Sequence, residues 1–109
     1  MPIDDLVITN HAEDRFKSRT GLPKRLVTRN ARKALAHGVS HADATGALRK
    51  YFDKLYLQEQ TANNIRIYNG AVYIFCNTTL VTVYPVPSSL RKIAEKIQRR
   101  KQDGGMNIQ

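Results

Sequence analysis

His11, Arg15 and Arg19 stand at i, i+4 and i+8, so a helix through them puts an imidazole and two guanidinium groups on one stripe, about 6 Å between successive side chains. Such a set can act on a phosphodiester. Imidazole moves protons near neutral pH, and guanidinium grips phosphate oxygens through a rigid fork of donors. His11 falls in the first helical turn, where the positive end of the helix dipole disfavours imidazolium and so suits a general base. A plainer arrangement also fits the spacing, with His11 packed on the helix start and the arginines solvated beside Glu13 and Asp14. His37 and His41 flank Gly38 and read as loop or cap residues. No metal-ligand pattern presents the three histidines together, so chemistry without a metal or other cofactor is expected.

The elements that must carry these groups follow from the apolar spacing. Asn10 with Glu13 makes a capping-box pattern and Ala12 and Phe16 give an apolar side, which predicts a helix from about His11 to Arg19. Gly21-Leu22-Pro23 breaks it. A second helix passes through Leu26, Val27, Ala31, Ala34 and Leu35 and closes at Gly38. Ser40 with Asp43 predicts the capped start of a third, on which Ala44, Ala47, Leu48, Tyr51, Phe52 and Leu55 recur at helical spacing.

From Ile65 the period becomes two. Asn69-Gly70 is a type I′ hairpin signal leading into the apolar run Ala71 to Cys76, within which Cys76 reads as a buried structural thiol. Asn77-Thr78 turns the chain into Leu80 to Tyr84, and Pro85 and Pro87 stop that strand. A fourth strand is placed near Leu55 to Glu59. Leu90, Ile93, Ala94 and Ile97, after a Ser88 cap, mark a last helix. The expected fold is α+β: two or three N-terminal helices packed on a three- or four-stranded antiparallel meander, with a C-terminal basic amphipathic helix over about 88–102. Residues 1–102 form one domain and 103–109 a flexible tail. No internal repeat interrupts it.

Asn64, Arg66 and Tyr68 share one face of their strand, and Thr82 and Tyr84 share one face of the last. Polar faces of this kind can line a groove in which tyrosines stack on bases and Arg66 stabilises charge on phosphate. They fit equally the solvent side of a meander.

Charge points to the partner. In 109 residues, 18 Lys and Arg oppose 9 Asp and Glu, a formal charge of +9. One basic segment runs from Arg15 through Lys17, Arg19, Lys24, Arg25 and Arg29 to Lys33 without an acidic residue. A second holds Arg91, Lys92, Lys96, Arg99, Arg100 and Lys101 against Glu95 and Asp103. Fields like these attract phosphate backbones, so RNA or another nucleic acid is the expected partner; an acidic antitoxin, inhibitor or host protein would satisfy the same charge. No stretch of about 18 to 20 apolar residues could cross a bilayer, and Met1-Pro2-Ile3-Asp4-Asp5 lacks a signal-peptide pattern. No membrane association and a cytoplasmic location are expected. A single cysteine allows no internal disulfide.

The opening Ile8-Thr9-Asn10-His11-Ala12-Glu13-Asp14-Arg15-Phe16-Lys17-Ser18-Arg19, of the form I-T-x-H-A-x-x-R-x-x-x-R, resembles the first helix of small phage and bacterial proteins in the barnase, EndoU, colicin and RelE-like ribonuclease superfamily. Leu80-Val81-Thr82-Val83-Tyr84 is similar to their terminal I-V-T-V-Y strand. The resemblance spans roughly residues 7 to 86. It implies a toxin-like endoribonuclease that cleaves RNA without metal, by attack of the ribose 2′-hydroxyl on the adjacent phosphodiester to give a 2′,3′-cyclic phosphate. On that reading His11 is general base or acid, Arg15 and Arg19 hold the scissile phosphate, and Thr82 or Tyr84 positions it. With no second histidine matched, Tyr84 or Tyr68 would make the complementary proton transfer. The alternative is a non-catalytic nucleic-acid-binding or inhibitory accessory protein using the same surface.

Overall fold

Helical apolar spacing before Thr61 and strand spacing after it divide the chain, and a computed structural model, which describes residues 5–106 and their side chains through residue 102, has that division. In chain order the elements are β1 (Val7–Ile8), α1 (Asn10–Thr20), α2 (Val27–His37), α3 (Gly46–Gln58), β2 (Asn64–Tyr68), β3 (Ala71–Cys76), β4 (Thr79–Pro85) and α4 (Ser88–Met106). Single 3-10 turns at Lys24–Leu26 and His41–Asp43 lead into α2 and α3. The class is α+β, as the pattern predicts.

Both turn residues of the β2–β3 hairpin take positive φ, 48° at Asn69 and 80° at Gly70, a conformation open to few other residue types. β2, β3 and β4 form the expected antiparallel meander. The fourth strand is elsewhere. Sheet order is β1-β4-β3-β2, and β1 lies parallel to β4 with Val7 opposite Thr79 and Ile8 opposite Leu80, so the sheet is mixed. The segment expected as a fourth strand, Leu55 to Glu59, is instead the end of α3 and its cap. Leu48, Phe52 and Leu55 keep one helical stripe buried there, and that burial outweighs any local strand preference.

Helices cover both faces of the sheet. Ala12 and Phe16 of α1 and Val27, Ala31 and Ala34 of α2 pack on Tyr68, Tyr73, Phe75, Leu80 and Val83. Leu48, Phe52 and Leu55 of α3 and Ala94 of α4 pack on Ile65, Ile67, Val72 and Ile74. β3, in the middle, is buried on both sides, which accounts for its unbroken apolar run. Cys76, at its end, is half-buried rather than enclosed. No helix among the described residues is long and apolar enough to cross a membrane.

Several ends differ from expectation. Thr9, not Asn10, caps α1: its Oγ1 accepts the Ala12 N–H at 3.0 Å while donating to the Leu80 carbonyl at 3.2 Å. The Ser40–Asp43 box forms but closes only the 3-10 turn, and α3 starts later, at Gly46. Ser88 is the first residue of α4, whose backbone stays helical to Met106; of the expected tail, 107–109 lie outside the described residues. Gly38 closes α2 as predicted, for a reason of space: a Cβ there would come within 2.5 Å of the Ala34 carbonyl oxygen and 3.1 Å of the Arg66 Cβ.

Asp43 ties α4 to this corner. Its carboxylate accepts from the Ser40 N–H at 2.9 Å and from Lys101 Nζ at 2.7 Å, and Lys101 also donates to the Gly38 carbonyl at 2.8 Å. Burial works against the carboxylate, but the hydrogen bonds from Lys101 and Ser40 outweigh it and hold the Asp43 pKa below its usual value. A depressed folded pKa stabilises the protein above the unfolded value near 4 and stops doing so as pH falls through the folded one. Asp43→Asn should therefore cost about 2 kcal/mol at neutral pH, a deficit that shrinks in acid. Urea unfolding of both proteins at about pH 7 and about pH 3 measures the difference.

Candidate functional site

α1 lies along the outer edge of β4. β1 pairs only with Thr79 and Leu80, and beyond them the helix takes over, fastened by the Thr9 N–H to the Leu80 carbonyl at 3.3 Å and by the Thr9 hydroxyl. With Ala12 and Phe16 buried, the side chains of His11, Arg15 and Arg19 stay exposed.

A β-bulge brings the strand residues to meet them. Leu80 pairs with Phe75 and Thr82 with Ile74, leaving Val81 without a partner of its own. One extra residue reverses the alternation. Thr82 and Tyr84 consequently sit on the α3–α4 face, beside the start of α1, and share that face as predicted.

His11 Nε2 lies 3.3 Å from Thr82 Oγ1, and Arg15 Nε–H donates to the same nitrogen at 3.4 Å. Two donors on one ring nitrogen fit the tautomer with its proton on Nδ1 and a lone pair at Nε2. Thr82 is buried while His11 is exposed, so the hydroxyl fixes the ring from below and leaves its outer side to solvent.

Tyr84 completes the cluster. Its hydroxyl donates to Glu59 Oε2 at 2.8 Å. That hydrogen bond, then burial and the Glu59 charge, raise the Tyr84 pKa, while the Arg15 and Arg19 guanidiniums pull it down. Both arginines are thus within electrostatic reach of the phenol. Next to it, Tyr51, Lys54, Gln58 and Tyr84 border a hollow of about 220 Å³. Burial and the neighbouring Tyr84 push up the pKa of Tyr51 as well. Replacing Glu59 by Gln removes the largest cause of the Tyr84 shift, so its titration should move to lower pH, readable from tyrosinate absorbance against a Tyr84→Phe reference.

Of the six residues expected to be catalytic, His11, Arg15 and Thr82 are in direct contact, Tyr84 lies two residues beyond Thr82 on the same face of β4, and Arg19, one turn beyond Arg15, reaches the phenol only through its charge. Arg66 stands apart. It is on β2, two strands from β4, opposite Tyr73 and so on the α1–α2 face. There its Nε donates to Asn64 Oδ1 at 2.9 Å and its Nη1 to the Gly38 carbonyl at 3.4 Å, bracing the end of α2. Tyr68 is 6% exposed within the core of that face and cannot stack on a base. The groove expected from Asn64, Arg66 and Tyr68 is absent because α2 covers the surface that an uncovered meander would leave open. No sequence pattern ties Glu59, or Tyr51 of the third helix's apolar stripe, to the site; neither is at a fixed spacing from the His11 stripe, and only the fold brings them to Tyr84.

The cations expected to bind nucleic acid are spread over several surfaces. Lys17 is exposed on the side of α1 turned away from His11, six residues and about 240° around the helix. Lys24 pairs with Asp14 at 2.7 Å. Arg25 and Arg29 are exposed at α2, and Lys92, Lys96, Arg99 and Arg100 are exposed on α4, across the sheet. Arg91, at the start of α4, reaches the hairpin, its Nε close to Gly70. His41 bonds Asp53 at 2.7 Å and packs edge-on against Phe52 and Tyr56, a structural role in keeping with its predicted place in a loop. Among the described residues no three His, Cys, Asp or Glu side chains gather in a way that could hold a metal.

No family model, curated protein or solved structure matches the chain.

Proposed function

We propose that the chain is an endoribonuclease that works without a metal, cleaving RNA by attack of a ribose 2′-hydroxyl on the adjacent phosphorus. One observation carries the reading: an exposed imidazole whose Nε2 is addressed by both Thr82 and Arg15, against a strand face that also carries Tyr84, kept protonated by Glu59 and burial. The +9 charge and the resemblance of the first helix and last strand to the barnase, EndoU, colicin and RelE-like ribonucleases support it.

As the substrate binds, Arg15 turns from His11 Nε2 to the phosphate and the 2′-hydroxyl takes its place at that nitrogen, which accepts the proton as the oxygen bonds to phosphorus. Arg15 holds the non-bridging oxygens, whose charge grows in the transition state, while Arg19, one turn further along α1, attracts the chain from a distance. The bond from phosphorus to the 5′-oxygen breaks as Tyr84 gives that oxygen its proton; Glu59 and burial keep the phenol protonated beforehand, and the Arg15 and Arg19 charges offset part of the cost of the phenolate left behind. The products are a 2′,3′-cyclic phosphate and a 5′-hydroxyl; water returns a proton to Tyr84 and removes one from His11. Thr82 orients the imidazole throughout.

Labelled RNA incubated with the purified protein in EDTA should yield fragments with cyclic-phosphate ends. Single-stranded and structured RNAs that all stay intact would overturn the proposal. Binding without turnover, weakening steeply between about 50 and 200 mM salt, would put a nucleic-acid-binding module in its place.

A further inference from the structure

Where α1 ends, the first turn of α4 comes round from the opposite face and the β2–β3 hairpin separates the two. Arg19, Asn30, Asn69, Gly70, Tyr73 and Arg91 line a cleft of about 320 Å³ at this junction. Arg19 and Arg91 approach it from different helices. Neither forms an ion pair among the described residues, although Glu95 lies only one helical turn beyond Arg91.

Tyr73 forms the floor. It is 1% exposed, and its hydroxyl has no hydrogen-bond partner among the described residues. Because Tyr73 borders the cleft, that unpartnered hydroxyl is a donor within reach of a group that enters it. Burial holds its pKa far above the ordinary tyrosine value, which keeps it a neutral donor. Asn69 Oδ1 is already taken by Gln98 Nε2 at 3.0 Å, leaving the Asn69 amide group as a further donor. Asn30 spends its amide group on the Leu26 carbonyl at 2.9 Å and offers an oxygen. Two guanidiniums, a phenol and a carboxamide N–H converge, with no carboxylate among the lining residues. Such a donor set matches a tetrahedral oxyanion.

We infer that this cleft binds a phosphate group, and that in a substrate the group is a backbone phosphate flanking the scissile one on the same RNA strand. The second half rests on the ribonuclease reading; the first does not. Arg19 lies eight residues beyond His11, about 12 Å along α1, so a strand seated at His11 and following the helix arrives at the cleft.

Titrating the labelled protein with inorganic phosphate, at constant ionic strength in chloride, should move the Asn69 and Gly70 amide resonances in a saturable way. Arg91→Gln, at an exposed position, should weaken that binding about tenfold, and Tyr73→Phe, which removes only the hydroxyl, by a smaller but measurable factor. Shifts spread evenly over the basic faces of α2 and α4, or unchanged affinity in Arg91→Gln, would overturn the site. In cleavage assays Arg91→Gln should raise KM about tenfold on long RNA with kcat unchanged, and leave a dinucleotide substrate unaffected. Equal losses on both substrates would overturn the flanking assignment. A protein that binds phosphate here yet cleaves no RNA keeps the anion site and loses the enzyme.

Discussion

On the proposed ribonuclease mechanism, His11→Ala should lower the rate of RNA cleavage by about 10²- to 10⁴-fold, the usual worth of a positioned acid or base, and leave RNA affinity within about twofold of the native value. The loss falls on kcat because the imidazole acts on a proton in flight and not on the bound phosphate chain. Arg15→Ala loses more than charge. Its Nε–H addresses the ring nitrogen that takes the proton, so removing it loosens the ring and withdraws stabilisation from the phosphoryl oxygens, at a cost of about 10²-fold or more. Because the two side chains serve one nitrogen, the double variant is slowed by far less than the product of the single effects. Single-turnover rates for the four proteins form the cycle. Native rates in His11→Ala would remove the general base and the ribonuclease proposal together.

Phe16→Ala should cost about 3 to 5 kcal/mol, a large share of the 5 to 15 kcal/mol that holds a domain of this size together. The ring is 0% exposed and packs at 6.5 Å between centroids from Tyr73, at the centre of the contact between α1 and the sheet. α2 and the hairpin border the same space and cannot close fully over the gap, so a cavity remains. Urea unfolding should show a lower midpoint with a slope close to native. A cost under about 1 kcal/mol would mean that α1 is held by its Thr9 fastening and not by this ring. Activity should fall with stability, since the helix that loses its anchor is the one that presents His11 to Thr82.

The sequence made some of this legible and hid the rest for identifiable reasons. Asn69-Gly70 announces its hairpin because positive φ at two successive positions is a local demand that few residues meet. The His11, Arg15, Arg19 stripe is equally local, fixed by helical period and by Ala12 and Phe16 turning inward. β1 leaves no trace, since two residues carry no alternation and a parallel partner is 72 residues away. Arg66 and Tyr68 were placed on an open face because period two tells which residues share a side, not whether a second layer of helices covers it. Val81 looks like any strand valine, although its extra place in β4 is what turns Thr82 and Tyr84 toward His11. The Glu59–Tyr84 bond joins residues 25 positions apart with no pattern between them.

Two open stretches of the sheet are covered. Val39 bonds the Ile67 backbone at 2.8 and 2.9 Å along β2, whereas β4 beyond Leu80 depends on α1. Unpaired strand margins invite pairing with other chains. The helix bearing His11 is therefore also a guard against self-association, and substitutions that lift it from β4 should produce inactive protein that aggregates, whereas changes confined to its outward side chains should leave the protein inert but monodisperse.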